Sequence, residues 1–159
     1  EPDAQQSAEL SVFDWHALAQ KTTRDWVPSA LQKNIDLGFE SDELPYLQQG
    51  NALLLGELLN NLIDNALRYT PSGGQVTVRV LREPAQLLIE VEDNGSGIPQ
   101  AQRERVFERF YRVLGSAQSG CGLGLAIVRE IATRHGGTVS LHDGAQTVGL
   151  CVRLSFPRA

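Results

Sequence analysis

Apolar residues recur along the chain with two different periods, and the change of period separates predicted helices from predicted strands. Spacings of three and four residues predict helices over residues 13–33, 51–69, 100–112 and 123–135. In the first helix the expected buried positions are Phe13, Leu18, Trp26, Val27, Ala30 and Leu31. The second helix ends before Thr70-Pro71-Ser72-Gly73-Gly74 and the last before Gly136-Gly137, which are typical helix-terminating runs.

A period of two residues marks five predicted strands, at residues 35–40, 76–80, 87–91, 139–141 and 148–156. Because an alternating strand buries one face only, this pattern argues against a parallel sheet covered on both sides. We expect an α/β fold of the α+β kind, a two-layer sandwich. Its five-stranded mixed sheet carries three main helices packed on one face, and the other face is solvated. Residues 41–50 are predicted to form a loop.

Composition narrows the class of protein. The 159 residues suit one domain, which we place at residues 11–159 after a polar linker remnant at 1–10. The net charge of −5 and the scattered basic residues argue against general nucleic-acid binding. Two isolated cysteines, Cys121 and Cys151, exclude a disulfide framework and fit a reducing compartment. The absence of methionine indicates a fragment of a longer protein, and no apolar run is long enough to span a membrane.

The helix over residues 51–69 has a polar stripe opposite its leucines. Glu57, Asn61, Asn65 and Arg68 share this stripe because steps of three and four residues stack on a helix. A solvated helix face is the plain alternative. Asparagine is a poor helix former, however, and its amide oxygen is a suitable ligand for Mg²⁺. The stripe is therefore a candidate metal-binding face.

Two glycine-containing segments are further candidates. In Asp93-Asn94-Gly95-Ser96-Gly97-Ile98-Pro99, directly after a strand, the carboxylate could accept a proton from an exocyclic amine and the glycines would admit a flat ring. An ordinary turn is the alternative. Gly120-Cys121-Gly122-Leu123-Gly124-Leu125 leads into a helix and would present backbone N–H groups to an anion. It matches neither the dinucleotide fingerprint nor a Walker loop, and a flexible hinge is its alternative.

These three segments, with Phe107-Glu108-Arg109-Phe110-Tyr111-Arg112 between the last two, resemble the catalytic ATP-binding domain of bacterial sensor histidine kinases. That domain has the Bergerat fold of a superfamily that also contains gyrase and MutL. The resemblance runs from about Leu10 to Phe156. In its motif order the stripe is similar to the N-box, the Asp93 segment to the G1 box, residues 107–112 to the F-box, and residues 120–125 to the G2 box.

The resemblance implies a role for each matching residue. Asn65 is the implied Mg²⁺ ligand, with Asn61 beside it and Arg68 near the phosphates, and these three form the implied catalytic set. Tyr69 lies against the adenine and Asp93 takes its amino group. The remaining implied nucleotide-binding residues are Gly95, Gly97, Ile98, Arg112, Gly120, Gly122, Leu123, Gly124 and Leu125. Residues 113–119 would be the ATP lid, of a short length that QseC-like sensor kinases share.

Asn61 favours a kinase over a hydrolase. In the ATP hydrolases of the superfamily the residue four before the metal-binding asparagine is a glutamate that activates water, and an amide cannot act as that base. None of His16, His135 and His142 stands in a phosphoacceptor motif. The fragment should therefore bind MgATP and phosphorylate a histidine on a separate dimerisation domain, for relay to a response-regulator aspartate, without phosphorylating itself.

The resemblance also implies where this domain works. The parent would be a homodimeric sensor of the bacterial inner membrane and this fragment its monomeric cytoplasmic part, with no nucleic-acid partner and no direct membrane contact. Two rival functions share the same motifs. One is a serine kinase of the anti-sigma type, and the other is a nucleotide-binding module without transfer activity.

Overall fold

The computed structural model describes residues 10–42, 45–103, 107, 125–145 and 148–158. The helices are α1 (Trp15–Gln32), α2 (Ala52–Tyr69) and α3 (Leu125–Arg134), and a short 3-10 helix covers Gln100–Gln102. The strands are β1 (Ser11–Asp14), β2 (Asp36–Ser41), β3 (Leu47–Gly50), β4 (Gln75–Arg82), β5 (Gln86–Asp93), β6 (Thr138–Asp143) and β7 (Leu150–Pro157).

Five strands form one mixed sheet in the order β2-β4-β5-β7-β6. Strand β2 runs parallel to β4, and the other neighbouring pairs are antiparallel. At one end of the sheet, Val76, Asp93, Leu150 and Asp143 lie side by side on four adjacent strands. This row matters because it places the predicted adenine-binding carboxylate beside the hairpin between β6 and β7.

The core lies between this sheet and the helices. The predicted inner rows of β4 and β5 are buried, as are the leucines of α2 opposite the polar stripe. The core members of these three elements are Val76, Val78, Val80, Leu87, Ile89, Val91, Leu55, Leu58, Leu59, Leu62, Ile63, Ala66 and Leu67. The predicted two-layer fold, with a five-stranded mixed sheet and three helices, is therefore confirmed.

The opposite face of the sheet carries charges, as a solvated face should. Arg79 on β4 bonds Glu92 at 2.7 Å and Glu40 at 2.9 Å, and Arg153 on β7 bonds Glu90 at 2.7 Å. Glu90 is nevertheless buried, because the long side chains of both arginines cover it. Two guanidinium groups beside one carboxylate compensate its loss of hydration.

The structure corrects the predictions for the first helix and the loop after it. Phe13 lies in β1, and the helix begins only at Trp15, because the Asp14 carboxylate caps it by accepting from the His16 N–H at 2.9 Å. The predicted loop over residues 41–50 contains β3, which pairs with β1 in a second, two-stranded sheet. This pairing joins segments more than thirty residues apart, so local periodicity did not show it.

Two smaller predictions were also wrong, and a third concerns a stretch that the described residues cover only in part. Leu31 is 72% exposed, because Ala30 takes the inward position in the last turn of α1. Val148 is exposed in the turn before β7, which starts at Leu150. The stretch predicted as a helix over residues 100–112 begins with the 3-10 helix, and apart from Phe107 its part after Arg103 lies outside the described residues.

In the described part of the chain, none of the helices combines the length and the apolar character needed to cross a bilayer.

Candidate functional site

Helix α2 carries the predicted polar stripe. Asn51 is the N-cap of the helix, and its side-chain oxygen accepts from the Leu54 N–H at 3.1 Å. Asn61 and Asn65 are half-buried one helical turn apart, on the same side of α2. Arg68 follows with its Nε 3.1 Å from both carboxylate oxygens of Asp64. The structure therefore presents two amides and one cation, itself balanced by a carboxylate, along a single helix face.

The amide next to this stripe has a different role. The Asn60 side-chain oxygen accepts a hydrogen bond from the Trp26 indole N–H at 2.8 Å and so joins α2 to α1. Asn60 and Asn61 are neighbours in sequence, but they differ by about 100° around the helix. Asn60 is a packing residue, while Asn61 lies on the candidate site.

The carboxyl end of α2 is held by a lysine from α1's C-cap. The Lys33 ammonium donates to the backbone carbonyls of Leu67 and Arg68, the second at 3.0 Å. Burial, together with the nearby Arg68 charge, lowers the pKa of Lys33. Lys33 belongs to none of the sequence motifs. The structure shows that it satisfies the open carbonyls at the end of the helix.

Asp93 lies at the end of β5 and is 8% exposed. One carboxylate oxygen accepts from the Gly95 N–H at 2.8 Å, and the backbone of Leu150 also hydrogen-bonds to the carboxylate. Burial raises the pKa of Asp93 to about 6, and these backbone bonds work against the rise. At neutral pH the group is therefore an ionised acceptor that has lost most of its hydration.

Three glycines let three chain segments meet at Asp93. A Cβ on Gly95 would lie 2.4 Å from the Tyr69 carbonyl oxygen, so the loop after β5 runs directly along the end of α2. Gly97 has φ of +73°, and a Cβ there would lie 2.9 Å from the Gly149 carbonyl oxygen. Gly149 has φ of +81°, and its Cβ would lie 1.9 Å from the Asp93 carbonyl oxygen. Side chains at these positions would separate the segments.

Gly149 was missed by the sequence reasoning. The one available signal was an isolated glycine between two alternating runs, which is typical of a hairpin turn. Nothing in the local sequence indicates that this hairpin folds against the end of β5.

The predicted site residues fall into three groups. Tyr69, Asp93, Gly95 and Gly97 lie together, and the stripe of α2 leads to this cluster through Tyr69. The side chains of Ile98 and Leu125 are buried in the core, at 7% and 2% exposed. The other predicted residues, which are Arg112, Gly120, Gly122, Leu123 and Gly124, and the predicted lid lie outside the described residues.

Each histidine has a partner within the fold. His16 bonds the Ser41 hydroxyl and His142 the Ser140 hydroxyl, both at 2.8 Å. His135 accepts from the Asn51 N–H at 3.1 Å through Nε2, so its Nδ1 carries the proton and donates to the Ile131 carbonyl at 2.8 Å. His135 thus connects the end of α3 to the start of α2.

The donor set suits a hard cation bound mainly by water and phosphate. In the part of the chain that the structure describes, no group of three or more His, Cys, Asp or Glu residues is placed to hold a metal ion. The half-buried amides of Asn61 and Asn65 instead supply neutral oxygen donors. Mg²⁺ is commonly bound by few protein ligands together with substrate phosphates and waters.

Residues 50–159 match the family described as histidine kinase-, DNA gyrase B- and HSP90-like ATPases. The chain belongs to this family. This histidine kinase-like ATPase domain is 33% identical over 151 residues to the swarming motility regulation sensor protein RssA of Serratia marcescens, covering 94% of the chain and 32% of RssA. It is 39% identical over 142 residues to the sensor protein QseC of Salmonella typhimurium, covering 89% of the chain and 30% of QseC.

The solved structures agree on the fold. The catalytic domain of the histidine kinase ThkA superposes with a TM-score of 0.83 at 24% identity, covering 94% of this chain and 97% of that domain. A further ThkA structure holds that kinase in complex with the response regulator TrrA. The chain spans about a third of the curated relatives RssA and QseC. It is therefore an ATP-binding domain of the kind found in sensor histidine kinases.

Proposed function

We propose that this domain binds MgATP and transfers the γ-phosphoryl group to a histidine on a separate dimerisation domain. The observation that carries the proposal is the buried carboxylate of Asp93 at the meeting point of α2, the glycine loop and the β6–β7 hairpin. Residues 11–159 form this domain in our proposal, and residues 1–10 are the end of a linker.

Asp93 recognises the base. Its ionised carboxylate accepts a hydrogen bond from the exocyclic amino group of adenine, and Gly95 and Gly97 leave room for the flat ring beside the backbone. Guanine presents a carbonyl oxygen at the equivalent position, which an ionised carboxylate repels. The site is therefore selective for adenine nucleotides.

The stripe of α2 serves the phosphates. Asn65, with Asn61 beside it, offers amide oxygens to Mg²⁺, and Arg68 supplies a positive charge one turn further along. When bound, Mg²⁺ neutralises phosphate charge and so favours phosphoryl transfer. The chain's own residues orient the nucleotide at both ends, with Asp93 at the base and α2 at the phosphates.

Asn61 decides between transfer and hydrolysis. An amide side chain has no basic group that could take a proton from water. A domain that delivers its phosphoryl group to another domain benefits when water is not activated beside the γ-phosphate. The three histidines all have structural partners, which supports an acceptor outside this chain.

The proposed partners are the dimerisation domain of its own parent protein and a response regulator that receives the phosphoryl group. The complex of ThkA with TrrA supports a regulator of that class. The parent is proposed to be a homodimeric sensor of a bacterial inner membrane, with this domain on the cytoplasmic side, as the sensor-protein relatives suggest.

The test is a transfer assay. The chain is mixed with the dimerisation domain of its parent and γ-labelled ATP, and the Asn65→Ala variant serves as the matched control. We expect acid-labile label on the dimerisation domain, dependent on Mg²⁺ and absent with the variant. Acid-stable phosphoserine would favour the anti-sigma type of kinase. ATP binding without any transfer would favour a nucleotide-binding module.

A further inference from the structure

Arg103, a residue outside the four sequence motifs, holds the far end of the loop that follows Asp93. Its Nε donates to the backbone carbonyl of Ile98 at 3.0 Å, and its Nη2 lies 2.5 Å from a carboxylate oxygen of Asp143 at the end of β6. The Arg103 side chain is 18% exposed and that of Asp143 is 55% exposed. One guanidinium thus joins the loop to the edge strand of the sheet.

The strand register places this bridge at the same end of the sheet as Asp93. Asp143 pairs with Leu150, and Leu150 pairs with Asp93 on its other side. Directly opposite residues of antiparallel strands project on the same face. Asp93 and Asp143 are therefore two strands apart in one row, and the loop between Asp93 and Arg103 returns to that row through the bridge.

Packing alone does not hold this loop. A pocket of about 310 Å³, open to solvent, lies beside the loop and is lined by Ser96 and Pro99, by Gly149 of the hairpin, and by Arg103 and Asp143. On this open side the loop has few packing contacts, so the polar bonds of Arg103 contribute to fixing its backbone. The Ile98 side chain anchors the loop in the core, and Arg103 secures the carbonyl of the same residue.

We propose that Arg103 is a positioning residue for recognition of the base. Through the Ile98 carbonyl and Asp143, it holds the glycine loop in the conformation in which Asp93 and Gly97 receive adenine. The inference rests on the proposed function of Asp93. The guanidinium of Arg103 is bonded to the loop and to Asp143. Arg103 therefore affects binding of the base, while residues of α2 bind the phosphates.

The experiment compares ATP with adenosine, which lacks phosphates. Each is titrated into isotope-labelled protein while the amide signals of Gly95 and Gly97 are followed. For Arg103→Gln we expect the Kd of both ligands to rise by the same factor, about 10-fold, since a charged hydrogen bond to the loop is lost. Asp143→Asn keeps the Ile98 contact and should raise both Kd values about 3-fold. The double variant should be no weaker than Arg103→Gln.

A control separates this role from the general loss of an ion pair. Arg134→Gln removes the bond of Arg134 to Glu130, 2.9 Å long and on the exposed side of α3, and should leave both Kd values unchanged. The Gly97 amide of nucleotide-free Arg103→Gln should also exchange faster with solvent, which a distant structural effect would not cause.

The outcomes that overturn the proposal are distinct. Equal affinity of wild type and Arg103→Gln would exclude a positioning role and leave the Asp93 assignment intact. Weaker binding of ATP with unchanged binding of adenosine would make Arg103 a phosphate contact instead. If the wild-type chain binds neither ligand, the proposed function and this inference fail together.

Discussion

Replacing Asp93 by asparagine should make the protein more stable while it destroys nucleotide binding. The substitution keeps the shape of the side chain and removes its charge. In the folded chain, burial raises the pKa of Asp93 from a usual value of 3.8 to about 6. At 1.36 kcal/mol for each pKa unit, ionisation of this buried group costs about 3 kcal/mol of folding free energy at pH 7.

Removing the charge avoids this cost, but the stability gained by the variant is partly offset by a lost hydrogen bond. The carboxylate accepts from the backbone of both Gly95 and Leu150, and an asparagine amide offers one acceptor oxygen and a donor that faces the second N–H. One lost bond costs about 1–1.5 kcal/mol. We therefore expect the unfolding free energy of Asp93→Asn at pH 7 to exceed that of the wild type by about 1–2 kcal/mol.

The pH dependence of the unfolding free energy tests whether the charge of Asp93 destabilises the fold. Between pH 4 and pH 6 the native carboxyl binds its proton more tightly than the unfolded one, so wild-type stability falls as pH rises through this range. The advantage of the variant should therefore be largest near pH 7 and fall by about 2 kcal/mol towards pH 4, where it is lost because the variant still lacks one hydrogen bond. Urea unfolding at several pH values measures it. Asp36→Asn, which makes the same substitution at an exposed strand end, is the matched control.

Binding should change in the opposite direction. A charged hydrogen bond to the adenine amino group is lost, and the new amide hydrogens face that group, so ATP affinity should fall about 100-fold or more in calorimetry. Wild-type affinity should also weaken as the pH falls below about 6, where Asp93 becomes protonated. A variant that is less stable than the wild type by more than about 1 kcal/mol at pH 7, or one with unchanged ATP affinity, would refute this reasoning.

Three further predictions concern the rest of the site. Asn65→Asp should alter the Mg²⁺ dependence of ATP binding, because a charged ligand replaces a neutral one, and identical Mg²⁺ titration curves would count against the metal role. Gly149→Ala should lower the unfolding free energy by about 3 kcal/mol or more and weaken ATP binding, since its Cβ would lie 1.9 Å from the Asp93 carbonyl oxygen. Gly136→Ala, at a similar φ of +75° with nothing within 4 Å, should cost only about 1–2 kcal/mol in the same denaturation experiment. Lys33→Met should lower stability by about 1–2 kcal/mol by leaving two helix-end carbonyls without their donor, and an unchanged urea midpoint would exclude that capping role.

The sequence by itself determined the elements whose signals are local. The leucines and amides of residues 51–69 predicted α2 and its polar stripe, because side chains three and four residues apart share a helix face. Alternation up to Val91, followed by turn residues, predicted a strand ending in a glycine loop at Asp93. These patterns depend on periods of two and 3.6 residues and need no knowledge of the tertiary structure.

Tertiary structure decided which distant segments complete the site. The hairpin at Gly149 lies against Asp93, and Arg103 reaches both Ile98 and Asp143 across the sheet end. Lys33 secures the end of a helix more than thirty residues away. The local sequence around these residues does not indicate which residues they contact. The contacts form only because the folded sheet brings the segments close together. The raised pKa of Asp93 also depends on the tertiary structure, because burial causes it.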